Sequence, residues 1–237
     1  MDNNDISKTL KDILNIKKEP IAMKAMKELP DNIDKFPEMS FPGICTQIGE
    51  VVEKGTNFYI DDEQCYCTGG NVAMGLSPDL SKDERDEMIE AHFSMSPGYK
   101  DVETAILYEE NMHKMKPEVK EKNKAIQIGP LKDIEDPDIV LIFCTPKDAD
   151  VLNRTFCYTT GNFAQGYGGN GGCPFLIQYP FITGKPSFSY SDVAWRKYIG
   201  LADEELTVSY PYKSLVEIID NLPTVSEAYE KYGVYDE

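Results

Sequence analysis

The sequence has no run approaching the ~20 apolar residues that span a bilayer, so no membrane segment is expected. Its opening stretch, MDNNDISKTLKDILNIKKEP, holds no basic patch followed by an apolar one and does not read as a signal peptide. A cytoplasmic protein is expected. Positive charge is scarce: 24 Lys and Arg stand against 41 Asp and Glu, a formal net charge of −17. Nucleic acid and anionic bilayers both recruit Lys and Arg, so neither is an expected partner. Solubility is the plain reading of the acidity. The marked catalytic signatures are missing too. No HExxH, GxSxG or Walker A loop occurs, which removes the best-marked zinc protease, hydrolase and NTPase classes. The two histidines, His92 and His113, fall on amphipathic helical stretches and read as surface or core-edge residues. No CxxC occurs, which weakens the zinc-ribbon and thioredoxin readings.

What the chain does have is six cysteines, at 45, 65, 67, 144, 157 and 173. In a reducing compartment these are not a disulfide framework. Strand and helix patterns alternate around them. Helices are predicted over residues 5–15, from Pro42 to Gly55, in NVAMGL, after the capping box Ser81–Glu84, in VETAILYEENMHKM, and from the Thr145 cap to Gly161. YKSLVEIIDNL and VSEAYEKYG close the chain as helices. PIAMK, NFYIDD, AIQIGPL, DIVLIFC, KPSFSY and LTVSYP read as strands. PFLIQYPFITG resists assignment because Pro180 interrupts any helix. With no Pro- or Ser-rich linker, residues 1–237 read as one α/β or α+β domain with a mixed sheet flanked by helices. A faint internal echo admits an ancient duplication. PIAMK matches IVLIF, CTQIGEVVEKGTNFYI matches CPFLIQYPFITGKPSFSY, and CYCTGGNVAMG matches CYTTGNFAQG, the last pair out of order.

Cys45, Cys67, Cys144 and Cys173 all fall near predicted helix starts, where backbone N–H groups favour thiolate over thiol. Gly69 and Gly70 behind Cys67 let N–H groups approach a sulfur or a bound cofactor. Cys144 and Cys157 sit in apolar stretches and read as small core residues. On a strand, Cys65 and Cys67 would share a face. Gly166–Gly171 matches GxGxxG, but a helix precedes it where the dinucleotide fingerprint needs a strand. An anion or cofactor cradle built on Gly168, Gly169 and Gly171 remains open, with Arg196 as a candidate cation. Tyr59, Tyr66, Tyr158, Tyr167 and Tyr190 lie around these segments and fit a flat pocket or ordinary aromatic packing.

The order of these features resembles the family labelled domain of unknown function 169, common in anaerobic archaea and bacteria. The resemblance runs over about residues 8–222. It is carried by EPIAMK, Cys45 opening a helix, Cys67-Thr68-Gly69-Gly70 through Gly75-Leu76, IGPL before PDIVLIFCTPKDADVL, Gly172-Cys173, TGKPSFSY, and Arg196 before ADEELTVSYP. It singles out Cys45, Cys67 and Cys173; Cys65, Cys144 and Cys157 fall outside its pattern. It implies no established activity, and suits an oxygen-sensitive cytoplasm.

Three functions follow as expectations. The first is an iron–sulfur or other thiolate-bound metal cofactor on Cys45, Cys67 and Cys173, with Cys65 as a candidate fourth ligand, serving a redox or cofactor-accepting protein partner. The second is an enzyme with a cysteine nucleophile or acid/base thiol acting on an anionic small molecule. The third is a non-catalytic ligand-binding or assembly protein.

Overall fold

The computed structural model describes residues 1–37, 43–65, 67–92, 98–120 and 122–232. Pro42, Tyr66 and the side chain of His92 lie outside what is described. In chain order the elements are α1 (Asn3–Leu14), β1 (Ile21–Met26), α2 (Ile44–Lys54), β2 (Phe58–Ile60), α3 (Thr68–Ala73), α4 (Lys82–His92) and α5 (Val102–Met115). Then come β3 (Ala125–Pro130), β4 (Ile139–Cys144), α6 (Pro146–Thr160), β5 (Gln165–Tyr167), a π-turn (Pro174–Gln178) running into α7 (Tyr179–Thr183), and β6 (Ser187–Ser189). The chain closes with α8 (Val193–Ile199), β7 (Leu206–Pro211), α9 (Tyr212–Ile218) and α10 (Leu222–Lys231).

The strands form one mixed seven-stranded sheet in the order β2-β3-β1-β4-β7-β6-β5, antiparallel throughout except for the parallel pair β5–β6. Both faces are covered, which explains why β4 is an unbroken apolar run although its neighbours are antiparallel. Val140, Ile142 and Cys144 enter one core with Leu10 of α1, Leu152 of α6, Leu215 of α9 and Leu222 of α10. Ile139, Leu141 and Phe143 enter the other with Ile48 of α2, Leu176 of the π-turn and Trp195 of α8. The fold is therefore α/β, with a helical layer on each face.

Local chemistry sets the helix ends. Thr145 and Asp148 form the expected box: the Thr145 hydroxyl donates to the carboxylate at 2.6 Å and accepts the Asp148 N–H at 3.3 Å. Ser81 and Glu84 do the same before α4. The helix expected from Pro42 begins at Ile44 with Gly43 as its cap, and Gly55 stops it in the left-handed region at φ +65°. The helix expected at NVAMGL begins earlier, at Thr68, so Cys67 is its cap. Cys65 and Cys67 are thus on a connector and not on a strand. Pro180 does not break its helix. The π-turn before it widens the ladder, with Tyr179 N–H bonding Pro174 O, and the missing proline N–H is absorbed there. The glycine loop contains β5, and Asp192–Gly200 is a capped helix outside the expected set.

The sheet also has an internal correspondence. At its centre Ile21 faces Leu141, Ala22 faces Val140 and Met23 faces Ile139. Exchanging β1 with β4, β3 with β7 and β2 with β6 leaves the pairing unchanged. Ile21 pairs with Pro130 as Ile139 pairs with Pro211, and Phe58 pairs with Ile128 as Ser187 pairs with Ser209. Leu131 N–H bonds Pro20 O at 2.8 Å as Tyr212 N–H bonds Asp138 O at 2.9 Å. On one face α2 then corresponds to the π-turn with α7, and Gly55 and Gly184 end them with the same φ of +65°. One residue more separates Cys173 from Gly184 than Cys45 from Gly55, which is what a π-turn accommodates. Two of the three sequence echoes fall on these corresponding elements. The third does not, since Cys157 lies on α6, which has no counterpart among the described residues. The correspondence is one of topology; a duplicated origin is not shown.

Candidate functional site

Four cysteines gather on the α2/α8 face of the sheet, where Cys45, Cys65, Cys67 and Cys173 pack against one core. Cys67 caps α3 without a side-chain capping bond, and the N–H groups of Gly70 and Gly69 in the first turn favour its thiolate. Gly70 has no alternative residue here. A Cβ on it would stand 2.9 Å from Cys65 Sγ and 2.9 Å from Ile44 Cβ. Gly69 is open, with its corresponding point 3.7 Å from Cys173 Cβ, so the Cys173 turn lies directly against the start of α3. Cys45 Sγ lies 3.5 Å, and Cys67 Cβ 3.7 Å, from the point where a side chain on Gly43 would begin. Cys65 is buried beneath, its thiol donating weakly to Cys67 O at 3.7 Å.

The Cys173 turn is strapped to α8. Gly172 N–H donates to Asp192 Oδ2 at 2.8 Å, and Asp192 Oδ1 accepts the Trp195 N–H at 2.8 Å. Trp195, 1 % exposed, is anchored in turn by its indole N–H to Thr207 Oγ1 at 3.1 Å.

These contacts separate four chemically equal thiols. The neighbouring Cys173 thiol holds the Cys67 pKa down to about 6, helped by the Gly70 and Gly69 N–H groups and opposed by burial and by Asp192. Cys173 is pushed well above the ordinary range, first by Cys67 and then by burial. Burial, with the Cys67 charge second, lifts Cys45 to about 12. Burial lifts Cys65 to about 12 as well. At neutral pH Cys67 is therefore thiolate by roughly ten to one, where an ordinary cysteine near 8.5 is almost all thiol. The two neighbours are thus shifted in opposite directions, Cys67 toward thiolate and Cys173 toward thiol.

The other expected site residues are placed elsewhere. Arg196 donates to Tyr190 O at 3.0 Å, Glu205 O at 2.9 Å and Ala202 O at 2.6 Å, which spends its guanidinium on the turn between α8 and β7. The glycine loop is closed by Tyr108, whose hydroxyl donates to Asn170 O at 2.7 Å. Gly168, Gly169 and Gly171 thus lead the chain over α5 into Cys173. Tyr167 stacks on Phe175 with ring centroids 4.1 Å apart, an aromatic packing role, while Tyr158 and Tyr190 are exposed. Cys144 is buried in the opposite layer, and Cys157 is half-buried on α6. His113 meets Arg85 and Asp79. Among the described residues no three His, Cys, Asp or Glu side chains stand as a metal-holding group. Asp192 was missed in the sequence. Its signal was an acid just before an apolar-periodic run that Gly200 ends.

The fold and the site together define an α/β protein with a cysteine cluster on one face of a seven-stranded mixed sheet. The chain belongs to the family described as uncharacterised ArCR, domain of unknown function 169, whose model matches residues 9–221. No curated protein and no solved structure matches it. Among the described residues no helix is long and apolar enough to cross a membrane.

Proposed function

We propose that the protein is a thiol-dependent oxidoreductase, with Cys67 as nucleophile and Cys173 as the thiol that resolves the intermediate. The observation carrying this reading is the packing of the Cys173 turn against the start of α3, which Cys67 caps; the electrostatics of that neighbourhood lower the Cys67 thiol and raise the Cys173 thiol. In the reaction the Cys67 thiolate attacks one sulfur of a disulfide R–S–S–R′, forms Cys67–S–S–R and expels R′S⁻. The Cys173 thiol loses its proton and its sulfur attacks Cys67 Sγ. RS⁻ leaves, the substrate has gained two electrons, and the dithiol has become a disulfide. A small or protein disulfide suits a partly exposed pair better than an anionic substrate does, because the one cation expected near the site, Arg196, is held by backbone carbonyls.

Mild oxidation of reduced protein, followed by peptide mapping, tests this. The expected product is a Cys67–Cys173 disulfide, formed before any other pairing and blocked by one equivalent of phenylarsine oxide. Oxidation that leaves both thiols free rejects the reading. The iron–sulfur expectation, with its cofactor-accepting partner, requires Cys45 to join the pair. Stoichiometric iron and sulfide in anaerobically purified protein would favour it.

A further inference from the structure

Resolution of the mixed disulfide needs a base. Once Cys67 is bonded to substrate, the Cys173 thiol has lost the thiolate that held its proton. Burial, which does not depend on Cys67, still favours the protonated thiol. The geometry points to Asp192 as the carboxylate that accepts the Cys173 proton, an inference that rests on the dithiol reading above. Its Oδ2 accepts the N–H of Gly172, the residue joined to Cys173, at 2.8 Å, which holds the carboxylate against the turn that carries the thiol. The second oxygen is fixed by the Trp195 N–H, which sets the orientation of the carboxylate. The titratable groups facing Asp192 are Cys45, Cys67, Cys173, Tyr99 and Tyr108. None of these is a second carboxylate.

The sheet correspondence gives the arrangement its logic. Cys67 caps the helix that follows β2, and Asp192 caps the helix that follows β6, the counterpart of β2. Nucleophile and acceptor thus come from different halves of the sheet. In the step, the Cys173 S–H proton passes to Asp192, directly or through one water. The freed sulfur forms the bond to Cys67 Sγ, the Cys67–S–S–R bond breaks, and Asp192 returns the proton to the departing thiolate. No oxidant beyond the substrate disulfide is required.

Dithiobis(nitrobenzoate), whose released thiolate is coloured, separates the two steps on the full-length reduced protein carrying Cys157→Ser. The first release reports attack by Cys67 and the second reports resolution by Cys173. In Asp192→Asn the first release is expected to be unchanged or faster, because a negative charge beside Cys67 is gone. The second is expected to slow at least about tenfold, and to rise with pH where the parent is flat from about pH 6 to 8. In Asp192→Ser, which keeps a helix cap without the carboxylate, added formate is expected to restore the second release in proportion to its concentration. A second release as fast in both variants as in the parent overturns the role of Asp192. A slowed release that formate does not restore assigns Asp192 a structural part only and overturns it too. If the parent itself releases once and keeps the mixed disulfide, the dithiol reading fails and takes this inference with it.

Discussion

At Cys67 burial and hydrogen bonding act in opposite directions, and the donors prevail. The largest donor is the Cys173 thiol, so Cys173→Ala is expected to move the alkylation midpoint of Cys67 upward by at least about one pH unit, toward the ordinary range near 8.5. Cys173→Ser retains a hydroxyl donor and is expected to move it less. A pH series of iodoacetamide labelling with peptide mapping checks both. Because the folded value is depressed, reactivity is present above about pH 6 and lost as pH falls through it. Gly70→Ala is expected to destabilise the protein by about 1–3 kcal/mol through overpacking against Cys65 and Ile44, while Gly69→Ala is close to neutral, as urea unfolding would show. Cys67 was legible in the sequence because a glycine pair follows it. Asp192 was not, because its importance comes from a contact to Gly172, twenty residues away in the chain.

At the scale of elements, α2 and α8 cross closely enough that a Cβ on Gly49 would stand 2.0 Å from Tyr198 O. Backbone cannot give way as a side-chain tip can. Gly49→Ala is therefore expected to force the two helices apart, at a cost of about 3 kcal/mol or more, and to expose Cys45 to alkylation. Arg196→Ala should loosen the turn between α8 and β7, with a cost of about 1–3 kcal/mol, and leave the Cys67 midpoint unchanged. A shifted midpoint would return Arg196 to the site. Elements with a side-chain cap and one apolar face, such as α5 and α6, were readable to within a residue or so. The start of α3 was not, since its cap is a cysteine with no side-chain capping bond. The π-turn was hidden because Pro180 signals a break wherever the ladder cannot widen.

At the scale of the whole molecule, the sheet brings together two cysteines that the chain keeps far apart. β1 and β4 meet at its centre, and each half supplies one member of the Cys67–Cys173 pair to the same face. Strand order is a tertiary property, so the convergence of Cys67 with Cys173 could not be read from spacing, although α/β architecture could. Closing that pair as a disulfide restrains a loop of about a hundred residues, worth roughly 4–5 kcal/mol in the chain-entropy model before any strain. The oxidised protein is thus expected to unfold at higher urea than the reduced protein, and Cys67→Ser should abolish the difference. Equal midpoints for both redox states would mean that the folded state resists the bond.

The central claim is that Cys67 and Cys173 are shifted in opposite directions, with the charge on Cys67. Alkylation of the reduced protein across pH 5–9, quantified for each cysteine by mass spectrometry, tests it most directly. The account expects Cys67 alone to label with a midpoint of about 6, while Cys173, Cys45 and Cys65 stay slow across the range. A Cys67 midpoint near 8.5, or labelling led by Cys45 or Cys173, would contradict it.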